Sequence, residues 1–104
     1  MKFDIMKRIW LGLFLPKDAT TLVDYRVIHD LKMALSISEE ERKSFNFRQE
    51  GQRLLWDPEA PDKEIEIGDR CREIITAALK QAAKSGPIND ENISLFNDFG
   101  IEGE

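Results

Sequence analysis

The most regular stretch of the chain is residues 68–87, which read GDRCREIITAALKQAAKSGP. Its apolar residues recur every three or four positions, the spacing that places side chains on one face of an α-helix: Cys71, Ile74, Ile75, Ala78, Leu79 and Ala82. The opposite face is polar and carries Arg70, Arg72, Glu73, Lys80 and Lys84. Gly86-Pro87 ends the helix, because glycine suits the C-cap and proline cannot continue the hydrogen-bond pattern. A helix with this pattern needs other elements to cover its apolar face.

Two further helices are predicted before this one. Helical spacing of apolar residues predicts an N-terminal helix over residues 1–15, which ends before Pro16. The apolar stripe of this helix is formed by Phe3, Met6, Ile9, Trp10 and Leu13. Thr20 or Thr21 can cap a second helix, whose core stripe is Val23, Val27, Ile28, Leu31, Ala34 and Leu35. The first segment is similar to the start of a signal peptide, but its apolar run is short and no cleavage-site pattern follows. We therefore expect a helix of the fold and no membrane span, which needs about 20 apolar residues.

The middle of the chain predicts a small antiparallel sheet. Side chains on one face of a strand are two residues apart, as are Phe45 and Phe47, and then Leu54 and Trp56. Gly51 supplies the turn of a β-hairpin between them, and residues 63–67 alternate in the same way and predict a third strand. We expect the hairpin aromatics to contribute to the core rather than to stack on nucleic acid, which would require a basic groove.

Shorter helical segments are marked by their caps. Ser38 and Glu41 match a capping box, which predicts a short helical turn after them. Asn89 can cap a final short helix, with Ile88 and Ile93 as a hydrophobic staple. The core candidates of this last helix are Ile93, Phe96 and Phe99. Residues 100–104 are predicted to be a frayed tail. The whole chain, residues 1–104, is predicted to be one α+β domain with three main helices, a short C-terminal helix and an antiparallel sheet of two or three strands.

Composition narrows the classes of function. The chain has one histidine, His29, and one cysteine, Cys71, so no other histidine or cysteine is available to complete a metal site, a Cys/His dyad or a Ser/His/Asp triad away from the helices that carry these two residues. A single cysteine also excludes an internal disulfide and fits a reducing cytoplasm. The net charge of −5 argues against direct binding to nucleic acid, because that affinity comes from Lys and Arg contacts with phosphates. We predict no metal, no cofactor and no enzymatic activity, with Cys71 as a buried thiol of raised pKa.

The second helix carries a further line of side chains outside its core stripe. Each helical residue turns about 100°, so His29 lies roughly opposite Val27 and Leu31. The line at three- and four-residue spacing is Leu22, Tyr25, His29 and Met33. It either contacts a partner, for which Tyr and Met are well suited, or lies under the N-terminal helix. If it contacts a partner, Trp10 of the N-terminal helix is expected to contribute to the same surface.

Acidic residues cluster around the predicted third strand. They are Asp57, Glu59, Asp62, Glu64 and Glu66. Their spacing does not match an EF-hand, which needs ligands at alternate loop positions, a central glycine and a final bidentate glutamate. We expect a solvated acidic face, with contact to a basic protein surface as the alternative.

Several short motifs give the chain a resemblance to a known group. The motifs that carry this resemblance are Leu13-x-Leu15-Pro16, Thr21-Leu22, Leu35 to Glu41, Trp56, Lys63 to Gly68, and Ile93-Ser94-Leu95-Phe96-x-x-Phe99. With them the chain resembles small phage- and prophage-encoded proteins of about 100 residues whose function is unknown. The chain departs from the group at Asp18-Ala19, where a glycine-containing loop is expected, and at Cys71. The resemblance implies a phage-related protein in a bacterial cytoplasm and no site residue.

These observations predict a non-enzymatic protein-binding module that engages a host or virion protein, or a second copy of itself. One alternative is an acidic mimic of nucleic acid that occupies a basic groove on a host protein. Another is a small enzyme that uses His29 with a neighbouring carboxylate, which general acid–base chemistry would require to lie in a pocket.

Overall fold

In the computed structural model, which describes residues 1–101, the chain forms five helices and two small antiparallel sheets. The elements follow one another as β1 (Lys2–Phe3), α1 (Ile5–Phe14), α2 (Leu22–Leu35), α3 (Glu39–Ser44), β2 (Arg48–Glu50), β3 (Arg53–Leu55), β4 (Lys63–Glu64), α4 (Asp69–Ser85) and α5 (Ile93–Asp98). This architecture confirms the predicted α+β class. Within residues 1–101, no helix combines the length and the apolar composition that crossing a membrane requires.

Helix α4 confirms its predicted amphipathic face. Ile75 and Leu79 are completely buried and Ala82 nearly so, while the charged positions of the opposite face are exposed. Both α1 and α2 pack against α4 and against each other. Together with α5 and the first sheet they enclose one core, whose buried members include Phe3, Leu11, Leu31, Leu35, Ile65, Leu95 and Phe96.

The N-terminal segment differs from the helix predicted over residues 1–15. Asp4 is the N-cap of α1, and its side chain accepts a hydrogen bond from the backbone N–H of Lys7 at 2.8 Å. The residues before this cap form β1 instead, with Phe3 opposite Lys63 of β4. The predicted third strand is therefore only two residues long and pairs with the N-terminus of the chain rather than with the hairpin.

The buried line of α1 also differs from the predicted stripe. Ile5, Arg8 and Leu11 are the buried residues of this helix. Leu13, a member of the predicted stripe, is 68% exposed. The core therefore contacts a face of α1 that is centred on Leu11, where α2 and α4 pack. Trp10 of the predicted stripe also packs against this core but is only half-buried.

Helix α2 begins and ends where the sequence predicts. Thr21 is its N-cap and accepts a hydrogen bond from the backbone N–H of Asp24, and Ile28, Leu31 and Leu35 are buried. The predicted core position Val23 is wrong, because this side chain is 66% exposed. Val23 lies in the first turn at the edge of the stripe, where none of the described elements covers it.

The β-hairpin is confirmed, but its place in the fold is not the predicted one. Strands β2 and β3 pair antiparallel, and Gly51 takes a positive φ of 63° in the turn. The rings of Phe47 and Trp56 stack with centroids 5.6 Å apart. These rings and Phe45 are half-buried, and they lie outside the core cluster. The prediction that the hairpin aromatics enter the core is therefore wrong; they stabilise the hairpin itself.

More of the C-terminal region packs against the core than the sequence predicts. Helix α5 begins at Ile93, and Asn89 caps the preceding turn by accepting hydrogen bonds from the backbone N–H groups of Glu91 and Asn92. Ile93 is 44% exposed and so is not a core residue. Ile101 packs against the core, which contradicts the predicted fraying at positions 100 and 101; residues 102–104 of that predicted tail lie outside the described residues.

Candidate functional site

A continuous line of exposed side chains runs along the side of α2 that points away from the core. Leu22 and Met33 are each 62% exposed and Tyr25 is 52% exposed. His29 is exposed as well, and its ring stacks on that of Tyr25 with centroids 6.1 Å apart and planes 14° apart. The structure therefore leaves this line open to solvent, whereas α1 packs on the opposite side of α2.

Two charged residues complete this surface. Arg26 and Asp30 are exposed, and the helical period places them between the apolar ends formed by Leu22 and Met33. We define the outward face of α2 by six residues: Leu22, Tyr25, Arg26, His29, Asp30 and Met33. Arg26 and Asp30 are not part of the line predicted from the sequence, although the spacing 22, 26, 29, 33 already places Arg26 on it.

The N-terminal half of α2 is held by an ion pair to α4. The guanidinium of Arg70 donates from Nε and Nη2 to the two carboxylate oxygens of Asp24, at 2.8 and 2.6 Å, and also donates to Glu73. The hydrogen bond from Arg70 lowers the pKa of the Asp24 carboxyl. This two-point contact joins the first turn of α2 to α4, and the burial of Ile28, Leu31 and Leu35 sets which residues of α2 point outward.

The C-terminal end of α2 is held by Arg8, the only charged side chain among the described residues that is buried. Its Nε donates to the carbonyl oxygen of Leu35 at 3.2 Å, and Nη2 donates to that of Ser36. Its two terminal nitrogens also donate to both oxygens of Glu41, at 2.7 and 3.0 Å. Because these carbonyls close the last turn of α2, Arg8 joins α1, α2 and α3 at one point.

Lys63 adds a further contact at the same helix end, donating from Nζ to the carbonyl oxygen of Ala34 at 2.8 Å. Cations are favourable at this position because the C-terminus of a helix carries partial negative charge. Helix α2 is thus fixed at both ends by charged groups from α1, α4 and β4. Its outward face is presented in one orientation without being covered.

The Arg8–Glu41 pair makes stability depend on pH. The hydrogen bond from Arg8 lowers the pKa of the Glu41 carboxyl from 4.5 to about 2. A lowered pKa stabilises the folded state above the unfolded value of 4.5, and this contribution is lost as pH falls from 4.5 towards 2. We expect the native chain to exceed the Glu41→Gln variant in free energy of unfolding by about 1–2 kcal/mol at pH 6, because solvent screens part of the interaction of this partly exposed carboxyl.

Urea titrations of the two proteins at pH 6, 4, 3 and 2.5 measure this difference. It should shrink steadily below pH 4.5, because a protonated Glu41 resembles glutamine. The comparison with Glu41→Gln cancels the contributions of other carboxyl groups of lowered pKa, such as Asp24. A difference that stays constant down to pH 2.5 would contradict the proposed role of the ionised carboxylate.

Trp10 does not join the outward face of α2. It lines a separate groove of about 470 Å³ between α1 and the β-hairpin, together with Met6, Leu54 and Trp56. A second groove of about 560 Å³ lies between the end of α1 and α4, and Asp24 lines it beside apolar residues of α4. Neither groove is lined by Leu22, Tyr25, His29 or Met33. The predicted combination of Trp10 with Tyr25 and Met33 is therefore separated into two surfaces.

The acidic residues around β4 are mostly exposed. Glu59, Asp62 and Glu66 are exposed, and Asp57 is half-buried. Glu64 pairs with the amino group of Met1 at 2.9 Å, and this hydrogen bond lowers the pKa of its carboxyl. Among residues 1–101, no group of three or more His, Cys, Asp or Glu side chains has the arrangement of a metal site.

Cys71 lies on the inner face of α4, as predicted. Its side chain is half-buried, and burial raises the pKa of the thiol. It lines a small groove with Val27 and Ala34 of α2. The thiol therefore belongs to the contact between α2 and α4 and not to the outward face.

Comparisons with protein-family models, with curated proteins and with solved structures find no match to this chain.

Proposed function

We propose that the chain is a non-enzymatic protein-binding module whose contact surface is the outward face of α2. The observation that carries this proposal is the exposure of Leu22, Tyr25 and Met33, each by more than half, along one side of a single helix. Large apolar side chains that line up on a surface mark interaction sites far more often than scattered ones do. Tyr and Met are also enriched at protein interfaces, while an exposed helix face is a common docking element.

The anchoring of α2 supports the same proposal. Binding loses affinity when groups must be ordered on contact, so a helix already held in place by Asp24, Arg8 and Lys63 binds at lower entropic cost. A phage-related role in a bacterial cytoplasm is part of this proposal and is supported only by the resemblance in sequence.

Co-purification with a matched pair of variants tests the proposal. The face variant is Leu22→Ser/Met33→Ser; the control is Leu13→Ser/Ile88→Ser, which also changes two exposed aliphatic residues but lies outside the outward face. Each tagged protein is expressed in bacterial cells together with a second copy that carries a different tag. We expect the amount of protein that co-purifies with the face variant to fall at least tenfold. This is the effect of removing two interface residues that contribute about 1 kcal/mol each.

The control variant should retain the bound protein at the level of the native chain. Equal recovery with the native chain, the face variant and the control would contradict the proposal. A loss confined to the control would move the binding surface to the side of Leu13, which lines both grooves of α1.

A further inference from the structure

The outward face of α2 has the spacing of a coiled-coil seam. Leu22, Arg26, His29 and Met33 follow one another at intervals of four, three and four residues, and all four are exposed. In coiled coils this spacing places side chains against a neighbouring helix, and polar residues at single seam positions select the register and direction of pairing. The pattern therefore favours a helix as the group that covers this face.

The charges of the face favour one direction of pairing. Arg26 and Asp30 lie one turn apart, and the ion pairs formed among residues 1–101 include neither of them. If a second α2 helix lay parallel, the two Arg26 side chains would meet at the seam, while the two Asp30 side chains would lie on opposite flanks of it. If it lay antiparallel, each Arg26 would come within one helical rise, about 1.5 Å along the axis, of Asp30 of the second copy.

The apolar ends of the face fit the same antiparallel register. With a twofold axis at the level of Val27 and Ile28, Leu22 lies opposite Met33 of the second copy, and Arg26 lies in the same layer as His29 of the second copy. Two apolar contacts then flank two ion pairs. This self-complementarity is what a twofold interface requires.

We infer that the partner of the outward face is a second copy of this chain, paired through antiparallel α2 helices. The inference rests on the proposed function, since it names the occupant of the same surface. A 14-residue helix buries roughly 400 Å² on each copy through one face, about half of a standard interface. An interface of this size is expected to be weak and transient.

A charge exchange between Arg26 and Asp30 tests the register. Sedimentation velocity on the purified chain, from 1 to 500 μM in 50 mM salt, measures dimerisation of the native protein, of Arg26→Asp, of Asp30→Arg and of the double variant. Each single variant replaces two ion pairs by two like-charge contacts and should weaken the dimer roughly tenfold. The double variant restores opposite charges across the axis and should recover the native constant to within about threefold.

Urea unfolding of the same variants separates an effect on dimerisation from an effect on the helix itself. A native chain that stays monomeric at 500 μM overturns the inference, and so does a double variant that dimerises no better than the single ones. A monomeric chain that still loses a foreign protein on Leu22→Ser/Met33→Ser would leave the proposed function standing. A dimer unaffected by Leu22→Ser/Met33→Ser and by the charge exchange would place the contact elsewhere and overturn both.

Discussion

Replacing Arg8 by alanine is expected to lower the free energy of unfolding by about 3 kcal/mol, because it removes the buried member of a partly buried ion pair and its hydrogen bonds to two carbonyl oxygens. Arg8 is 1% exposed and serves four acceptor oxygens: two of Glu41 and the carbonyls of Leu35 and Ser36. Its removal leaves these acceptors without their donor and opens a cavity among α1, α2 and α3. Because domains of this size have about 5–15 kcal/mol of stability, this loss is a large fraction of the total.

Urea denaturation followed by circular dichroism measures this loss, and two further variants identify its cause. Arg8→Met fills most of the same volume without donating hydrogen bonds, so it should be less damaging than alanine but still clearly destabilising. Arg8→Met/Glu41→Leu removes both charges and should recover part of the loss, because no carboxylate then remains unpaired. If Arg8→Ala changed stability by less than 1 kcal/mol, Arg8 would not be the junction of the three helices.

Local signals in the sequence were enough to predict the isolated elements. Helix α4 begins and ends within one residue of its prediction because its amphipathic period and its Gly86 cap are both local. The capping box of α3 is present as predicted, with Ser38 and Glu41 each accepting a hydrogen bond from the backbone of the other. The hairpin could be predicted because a glycine lies at its turn and apolar residues alternate on either side of it.

Features that depend on distant contacts could not be predicted in this way. Strand β1 has two residues, and its partners are about 60 positions away, so no periodicity marks it. Arg8 follows Lys7 in the basic part of an apolar segment, and nothing local indicates that it is buried. Glu41 shows the same limit, because its capping-box role is local while its pairing with Arg8 joins residues 33 positions apart.

The candidate site was predicted in part. The line Leu22, Tyr25, His29 and Met33 follows from helical spacing alone, but its exposure depends on where α1 packs. Sequence reasoning left both outcomes open. The structure places α1 against the inner side of α2, where Arg8 contacts the carbonyls of Leu35 and Ser36. Trp10 was expected at the same surface because the sequence does not show how α1 is rotated about its own axis. The core sets this rotation, and the most apolar stripe of the helix does not.

Replacing Leu11 by alanine is expected to destabilise the protein by about 2–5 kcal/mol, whereas the same change at Leu13 should alter stability by less than about 0.5 kcal/mol. The two leucines lie on one helix, and the substitution removes the same atoms. Leu11 is completely buried in the core, while Leu13 is 68% exposed. The apolar stripe read from the sequence makes the opposite prediction, because Leu13 belongs to that stripe and Leu11 does not. Thermal and urea unfolding of the two variants therefore measure directly which face of α1 contacts the core. Equal losses, or a larger loss at Leu13, would show that α1 is rotated from the orientation described, and the argument that it leaves the outward face of α2 uncovered would fail with it.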